Sequence, residues 1–363
     1  MQVLSSTIKI VSTKAKLEAV ELLKELISIP SFSKEEDKTA TLLQDLFQKK
    51  DIPTIRKMNN VWAMNKHFDS KRPTLLLNSH HDTVKANAGY TKDPFNPFVS
   101  EGKLFGLGSN DAGASLVSLL TVFLHYYNEQ DLKFNLIFCA SAEEEISGKD
   151  GIAAVIPHLP SIDFAIVGEP TSMQMAVAEK GLVVLDCIAH GKAGHAARNE
   201  GENAIYKALK DIAWFQDYQF PKVSETLGPI KMSVTVLQAG TQHNVVPPSC
   251  HFTVDVRTTD AYSNQEVVDI IKQHVVSDVS PRSLRLQPSG IHESHVIVQA
   301  GKKYGVQCYG SPTLSDQALM PWPSIKMGPG NSERSHMADE FVYTMEIEQG
   351  IDTYVKLLNE IIL

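Results

Sequence analysis

Three short runs of this 363-residue chain are apolar almost without a break: TLLLNS at 74–79, FNLIFCAS at 134–141 and FAIVGEP at 164–170. A strand wetted on one face alternates apolar and polar residues, whereas a strand apolar throughout must be covered on both faces. Helical patterns lie around and between these runs. KAKLEAVELLKELIS at 14–28 carries apolar residues at helical spacing and stops before Pro30. SFSKEEDKTATLLQDLFQKK opens a second helix, with Ser33 as N-cap and Glu36 three residues on, the pattern of a capping box. DAGASLVSLLTVFLHYY at 111–127 is a third, its early residues small enough for close packing on a sheet. The alternation predicts an α/β domain around a mainly parallel sheet with helices on both sides.

The texture changes after about residue 173. GLVVLDCIAHG, IKMSVTVLQAG, CHFTVDVRTTD and SLRLQP alternate like half-exposed strands, and GENAIYKALKDIAWF and SNQEVVDIIKQHVV between them have helical periodicity. Strand, helix, strand, strand, helix, strand is the order of the split βαβ, ferredoxin-like unit. From about 284 the first texture returns, ending in the amphipathic MEIEQGIDTYVKLLNEII. The expected organisation is one domain built from 1–173 and 284–363, with 174–283 inserted as a smaller α+β domain.

Composition excludes several classes. The hydrophobic fraction is 43% and the formal charge is −8, with acids and bases dispersed, so there is no basic stripe for nucleic acid. No apolar run reaches the roughly 18 residues of a membrane-spanning helix. The first residues lack the apolar centre and cleavage site of a signal peptide. Cys139, Cys187, Cys250 and Cys308 are widely spaced and form no CxxC, which indicates reduced thiols and a cytoplasmic protein.

Histidines and acids recur where the apolar strands end, the edge at which open α/β sheets place their sites. His80 and Asp82 follow the first strand, Glu143, Glu144 and Glu145 the second, and Glu169 the third. Asp111 opens the long helix, and His336 lies in GPGNSERSHMADE after the short apolar run PSIKM. Taken singly, each has an ordinary explanation. Asp111 suits an N-cap, Glu169 before Pro170 suits a turn, and three successive glutamates suit a solvated face. GLGSND resembles a phosphate loop but lacks the third glycine of the dinucleotide fingerprint. Together, two histidines and several carboxylates at one sheet edge are the donor set of a zinc-type site, and a bridging carboxylate would make it a two-metal site. His80 and His81 are adjacent on a strand and point to opposite faces, so they cannot easily serve one centre.

The motifs SHHDTV, GLGSNDAGAS, AEEEISG, GEPT, GKAGHAARNEGENAI, NVVPPS and GPGNSERSHMADE resemble, in order and spacing, those of the acetylornithine deacetylase, succinyl-diaminopimelate desuccinylase and carboxypeptidase family of metal-dependent hydrolases. The resemblance covers nearly the whole chain. It implies a zinc-peptidase-like mixed sheet flanked by helices, with the insertion serving as a dimerisation, or lid, domain. By the same resemblance His80, Asp111 and Glu169 would hold one metal, and Asp111, Glu145 and His336 a second. Glu144 would be the general base, and Asp82 the supporting acid that orients the His80 ring, leaving His81 to face elsewhere. His195 in the insertion would donate to the oxyanion from the lid, often that of the partner subunit. Asn244 and Arg257 resemble substrate-holding positions. The cofactor implied is zinc, one or two ions per subunit, with cobalt as an alternative. Where many members have Asp-Glu-Glu this chain has Glu143-Glu144-Glu145, and Ala112 follows the aspartate in place of the frequent Asp or Met.

The spacing around GPGNSERSH is nearer to deacylases of ornithine, citrulline or lysine than to tripeptidases. The expectation is a homodimeric deacylase removing an acetyl or succinyl group from ornithine or citrulline in arginine biosynthesis. The rivals are a dipeptidase or carboxypeptidase of the same family and a silent metal- or small-molecule-binding protein. Silence would need neither Glu144 nor His195.

Overall fold

The computed structural model describes residues 10–362. They form two compact units: residues through Val177 with Ile291–Tyr309 and the chain from Ser315 onward, and Ala178–Gly290 with Gly310–Leu314. The sequence placed the inserted segment at 174–283.

The sheet of the first unit runs Ile55–Lys57, Asn60–Met64, Asn135–Ser141, Thr74–His80, Phe164–Val167, Ser324–Lys326, Met175–Glu179. Thr74–His80 at its centre pairs in parallel with Asn135–Ser141 and with Phe164–Val167, which in turn pairs in parallel with Ser324–Lys326. The flanking strands Asn60–Met64 and Met175–Glu179 are antiparallel to their neighbours, so the sheet is mixed, with the expected parallel arrangement confined to its middle. Period-2 alternation divides the apolar runs between two cores. Leu75, Leu77, Leu136 and Phe138 pack under Thr13–Ile27, Asp37–Gln48, Ala114–Tyr126 and Thr344–Ile362, while Leu76, Ile137 and Cys139 face the other way, toward Ile152, Val155 and Met320.

Two local readings are corrected. Ser33 caps no helix: its Oγ donates to Asp82 Oδ2 at 2.7 Å, and the helix starts at Asp37 with no side-chain cap. The buried Glu36 accepts instead from the Lys34 and Glu143 amides at 2.7 and 3.1 Å and from Asn59 Nδ2 at 2.8 Å. A buried long-range acceptor outcompetes the local cap. The long helix likewise begins at Ala114, because Ser109–Gly113 form a wider turn in which Asp111 has extended backbone angles.

The second unit is a four-stranded antiparallel sheet in the order Lys231–Ala239, Ser249–Thr258, Gly181–His190, Asp278–Pro281. Helices Ala204–Asp217 and Asn264–His274 cover one face, over Val183, Leu185, Phe252 and Val254. The βαββαβ order is ferredoxin-like. Its fourth strand is DVSP at 278–281; SLRLQP, which alternates better, follows as irregular chain. The four cysteines are unpaired, and among the described residues no helix is long and apolar enough to cross a membrane.

Leu77 is fully buried against the helical layer. Leu77→Ala should lower unfolding free energy by about 2–5 kcal/mol through lost transfer and a residual cavity, read as a lower urea midpoint at constant slope. An unchanged midpoint would mean that this sheet face is not packed as described.

Candidate metal centre

Each strand end delivers one piece of the site. Thr74–His80 terminates at His80, whose side chain is 1% exposed. Its Nε2 lies 3.4 Å from Asp111 Oδ1, 3.8 Å from Glu169 Oε1 and 3.9 Å from Glu144 Oε2. Its Nδ1 faces the Asp82 carbonyl oxygen at 2.9 Å and the Asp82 carboxylate at 3.3 Å. Strand alternation does not account for Asp82, since the strand has ended. Its carboxylate is fixed by donors: Ser33 Oγ and the amides of Glu144 and Glu145, at 3.0 and 3.2 Å. His81 faces away, with Nδ1 2.9 Å from Thr39 Oγ1 and Nε2 2.9 Å from the Asn59 carbonyl oxygen.

After Asn135–Ser141 the chain turns sharply. Glu143 takes left-handed angles (φ 55°) and Glu144–Ile146 form one 3₁₀ turn. This swings Glu143 out of the cluster, where its carboxylate accepts from the Asp150 amide at 3.4 Å, and leaves Glu144 and Glu145 facing the site. Glu145 Oε2 lies 3.0 Å from His336 Nε2, which is also 3.7 Å from Asp111 Oδ2. Gly168 precedes Glu169 where a Cβ would meet Leu119 Cδ1 at 2.7 Å and Ser115 Cβ at 3.0 Å, so only glycine lets this strand end lie against the helix.

Asp111 and His336 sit on loops held by residues the sequence did not single out. The buried Glu340 accepts the amides of Gly108, Asn110 and Asp111 at 3.0, 2.8 and 2.9 Å. Asn110 and Asn331 tie the two loops together: the Asn331 amide donates to Asn110 Oδ1 at 2.9 Å and Asn110 Nδ2 donates to the Asn331 carbonyl at 3.1 Å. Asp316 is a second buried acid near the cluster that the sequence did not single out. No periodic pattern marks any of them; a carboxylate or amide in a loop between apolar runs is the only signal.

The electrostatics describe a cluster short of positive charge. Burial and the neighbouring acids hold the Glu144 and Glu169 carboxyls well above the usual range, partly offset by His80. Burial opposes charge on His80, but Asp111, Asp82, Glu144 and Glu169 outweigh it and raise the imidazole. The hydrogen bond to Glu145 pushes His336 up to about 9. Burial lifts Glu340 to about 8, with the charge of Asp111 adding to it.

The ligand atoms of His80, Asp111 and Glu169 lie within 4.8 Å of one another, as do those of Asp111, Glu145 and His336. Asp111 belongs to both groups, one oxygen turned to each histidine. Glu145 Oε1 is buried without a hydrogen-bond partner, an orphan a cation would satisfy. Imidazole nitrogen with carboxylate oxygen is the borderline-hard set that suits zinc. The residues therefore fit a metal pair.

In the second unit, His195 and Asn244 come together on a short ladder in which His195 pairs with Val245 and the Ala196 amide donates to the Asn244 carbonyl at 3.0 Å. Both are exposed beside a cleft of about 780 Å³. Arg257 is not with them; its guanidinium is paired with Asp255 of its own strand at 2.8 and 3.1 Å.

A model of peptidase family M20/M25/M40 matches residues 76–360. Among curated proteins, acetylornithine deacetylase of Proteus mirabilis is 28% identical over 91% of this chain and 93% of its own length. Succinyl-diaminopimelate desuccinylase 2 of a Ruegeria species is 25% identical over 95% of each. Among solved structures, aminopeptidase PepT of Bacillus cereus superposes with a TM-score of 0.76 at 18% identity, over 95% of this chain and 98% of that one. A metallo-carboxypeptidase of Sulfolobus solfataricus superposes with a TM-score of 0.72 at 16% identity, over 95% and 99%.

The geometry separates the adjacent histidines. His80→Ala should purify with strongly reduced metal by elemental analysis, whereas His81→Ala should keep near-normal metal content and lose stability, since it removes one partner of Thr39 and the ring that meets the Asn59 carbonyl. Equal metal loss in both would contradict the opposed orientations.

Proposed function

The chain belongs to peptidase family M20/M25/M40, and within it we propose a metal-dependent deacylase that removes an acetyl or succinyl group from ornithine or citrulline, a step of arginine biosynthesis. The observation that carries the hydrolytic reading is the shared Asp111 carboxylate with Glu144 close by but outside both ligand groups. A site built only to bind has no use for such an unengaged acid. The choice of acyl amino acid over peptide is supported by the curated deacetylase and desuccinylase relatives, whose similarity spans nearly the whole chain.

His80, Asp111 and Glu169 would hold one ion and Asp111, Glu145 and His336 the other, zinc by donor type, with cobalt accepted by the same ligands. Two divalent ions would match the formal charge of the Asp111, Glu144, Glu145 and Glu169 carboxylates. When bound, they would acidify water and polarise the amide carbonyl. Glu144 would take a proton from the attacking water and return it to the departing amine. Asp82, accepting from Nδ1–H of His80, would fix the tautomer that leaves Nε2 free to coordinate. His195 would donate to the developing oxyanion and Asn244 would hold the substrate. Arg257 has Nε and Nη2 engaged by Asp255, which leaves its Nη1 donors for a substrate carboxylate.

The inserted unit would also form the dimer. Lys231–Ala239 is one edge of its sheet and carries the exposed Val236 and Leu237, an edge that invites pairing.

Metal-loaded protein should hydrolyse acetylornithine, acetylcitrulline or their succinyl counterparts faster than a dipeptide panel. The reverse order would establish the peptidase reading, and no turnover of either would leave a binding protein. Glu144→Gln should retain metal while kcat falls by at least about 10²–10⁴-fold; full activity would remove Glu144 as the base.

If His195 acts across the dimer, His195→Ala and Glu144→Gln homodimers should each be nearly inactive. Subunit exchange gives heterodimers with one intact site of two, so a statistical mixture should recover roughly a quarter of wild-type activity. No recovery despite verified exchange would place His195 in cis or outside the mechanism.

A further inference from the structure

Asp316 is 3% exposed. One oxygen, Oδ2, accepts from Asn78 Nδ2 at 2.8 Å and from Ser141 Oγ at 2.6 Å. Both donors are neutral, so the carboxylate is dehydrated with no formal charge opposite it in these contacts, an arrangement that packing alone disfavours.

The placement of the two donors gives it a purpose. Asn78 lies two residues before His80 on Thr74–His80, and Ser141 is the last residue of Asn135–Ser141, paired in register with His80. Ser141 is followed by the turn that presents Glu144 and Glu145. Asp316 therefore fastens the two parallel strands to each other through their side chains, one step beneath the site. The third strand is tied to the same level, since the Gly168 amide donates to the Asn78 carbonyl at 2.7 Å and Ser79 Oγ donates to the Gly168 carbonyl at 2.8 Å. Asp316 is itself fixed from below: it lies in the Asp316–Leu319 turn, capped by Ser315, and Gln317 Nε2 donates to Ser324 Oγ at 2.8 Å on the next strand. Backbone ladders set the spacing between strands but leave their ends free to fray and splay. A single oxygen shared by two donors on neighbouring strands constrains those ends at the level of the ligands.

We infer that Asp316 is a positioning residue, which holds the ends of the His80 strand and the Glu144–Glu145 strand in the spacing the metal centre and the base require. The inference rests on the hydrolase reading for its kinetic consequence, but its binding consequence does not depend on substrate.

Full-length apoprotein is titrated with Co2+, followed by its visible absorption, and steady-state kinetics are measured on the loaded enzyme. Asp316→Ala should weaken Co2+ binding about 10-fold, alter the absorption bands, and lower kcat about 10-fold with KM near wild type, the scale of losing support behind metal ligands. Asp316→Asn retains the shape and one oxygen able to receive both donors, and should recover most of the loss. Wild-type Co2+ affinity and kcat in Asp316→Ala overturn the proposal, as does an Asp316→Asn variant no better than Ala. Should Asp316→Ala not fold, Ser141→Ala removes one donor and should weaken Co2+ binding about three- to tenfold, the worth of one hydrogen bond; unchanged affinity there also overturns it. If the wild-type enzyme turns over no acyl amino acid, the substrate reading fails while the Co2+ titration still decides the clamp.

Discussion

Like charges crowded at the carboxyl ends of three parallel strands govern this structure. Asp111, Glu144, Glu145 and Glu169 converge on two imidazoles, with ligand atoms of each group within 4.8 Å of one another. Two carboxylates at such a distance repel by roughly 3–4 kcal/mol at an effective dielectric of about 20. Without metal, the raised imidazoles of His80 and His336 oppose this charge; bound cations, which need those ring nitrogens unprotonated, would do so in their place. Metal binding and stability of the edge are thus one equilibrium, because an ion that binds only the folded edge stabilises it by mass action.

The loops that carry these acids have no repeating hydrogen-bond ladder, so their backbone amides need other acceptors. The same device answers three times. Asp82 takes the amides of Glu144 and Glu145, Glu340 takes those of Gly108, Asn110 and Asp111, and Glu36 takes those of Lys34 and Glu143. A buried carboxylate accepting several N–H groups works as a helix cap does, but across the fold. The acids that would meet metal are thus held, through their backbone amides, by further acids.

This layering explains what could be read from the sequence. His80, Glu144, Glu145 and Glu169 are legible because each follows an apolar run, and strand ends of a parallel sheet share an edge. The opposed directions of His80 and His81 are legible from alternation. Asp82 is legible only through the resemblance, since the strand ends before it and distant donors set its place. Ser33 with Glu36 looked like a local cap, yet both side chains serve partners up to 107 residues away. Asp316, Glu340 and the Asn110–Asn331 pair are invisible to any window, for their partners lie 175 to 238 residues away. In the second unit, SLRLQP has the better alternation but DVSP pairs with Gly181–His190, because register is chosen by what the neighbouring strand offers and not by pattern alone.

Among the described residues, both groups that could hold metal, together with Glu144 and the groups that position it, belong to the first unit. His195, Asn244 and Arg257 belong to the second unit, and their states differ. His195 and Asn244 stand exposed, with the Ala197 amide donating to His195 Nδ1 at 3.1 Å. Arg257 already holds Asp255 through two contacts. A substrate carboxylate could reach Arg257 through Nη1, but would meet a guanidinium whose charge Asp255 already balances. In the proposed reading, substrate contacts in the second unit would thus fall to His195 and Asn244 before Arg257, while the first unit carries the two groups that could hold metal.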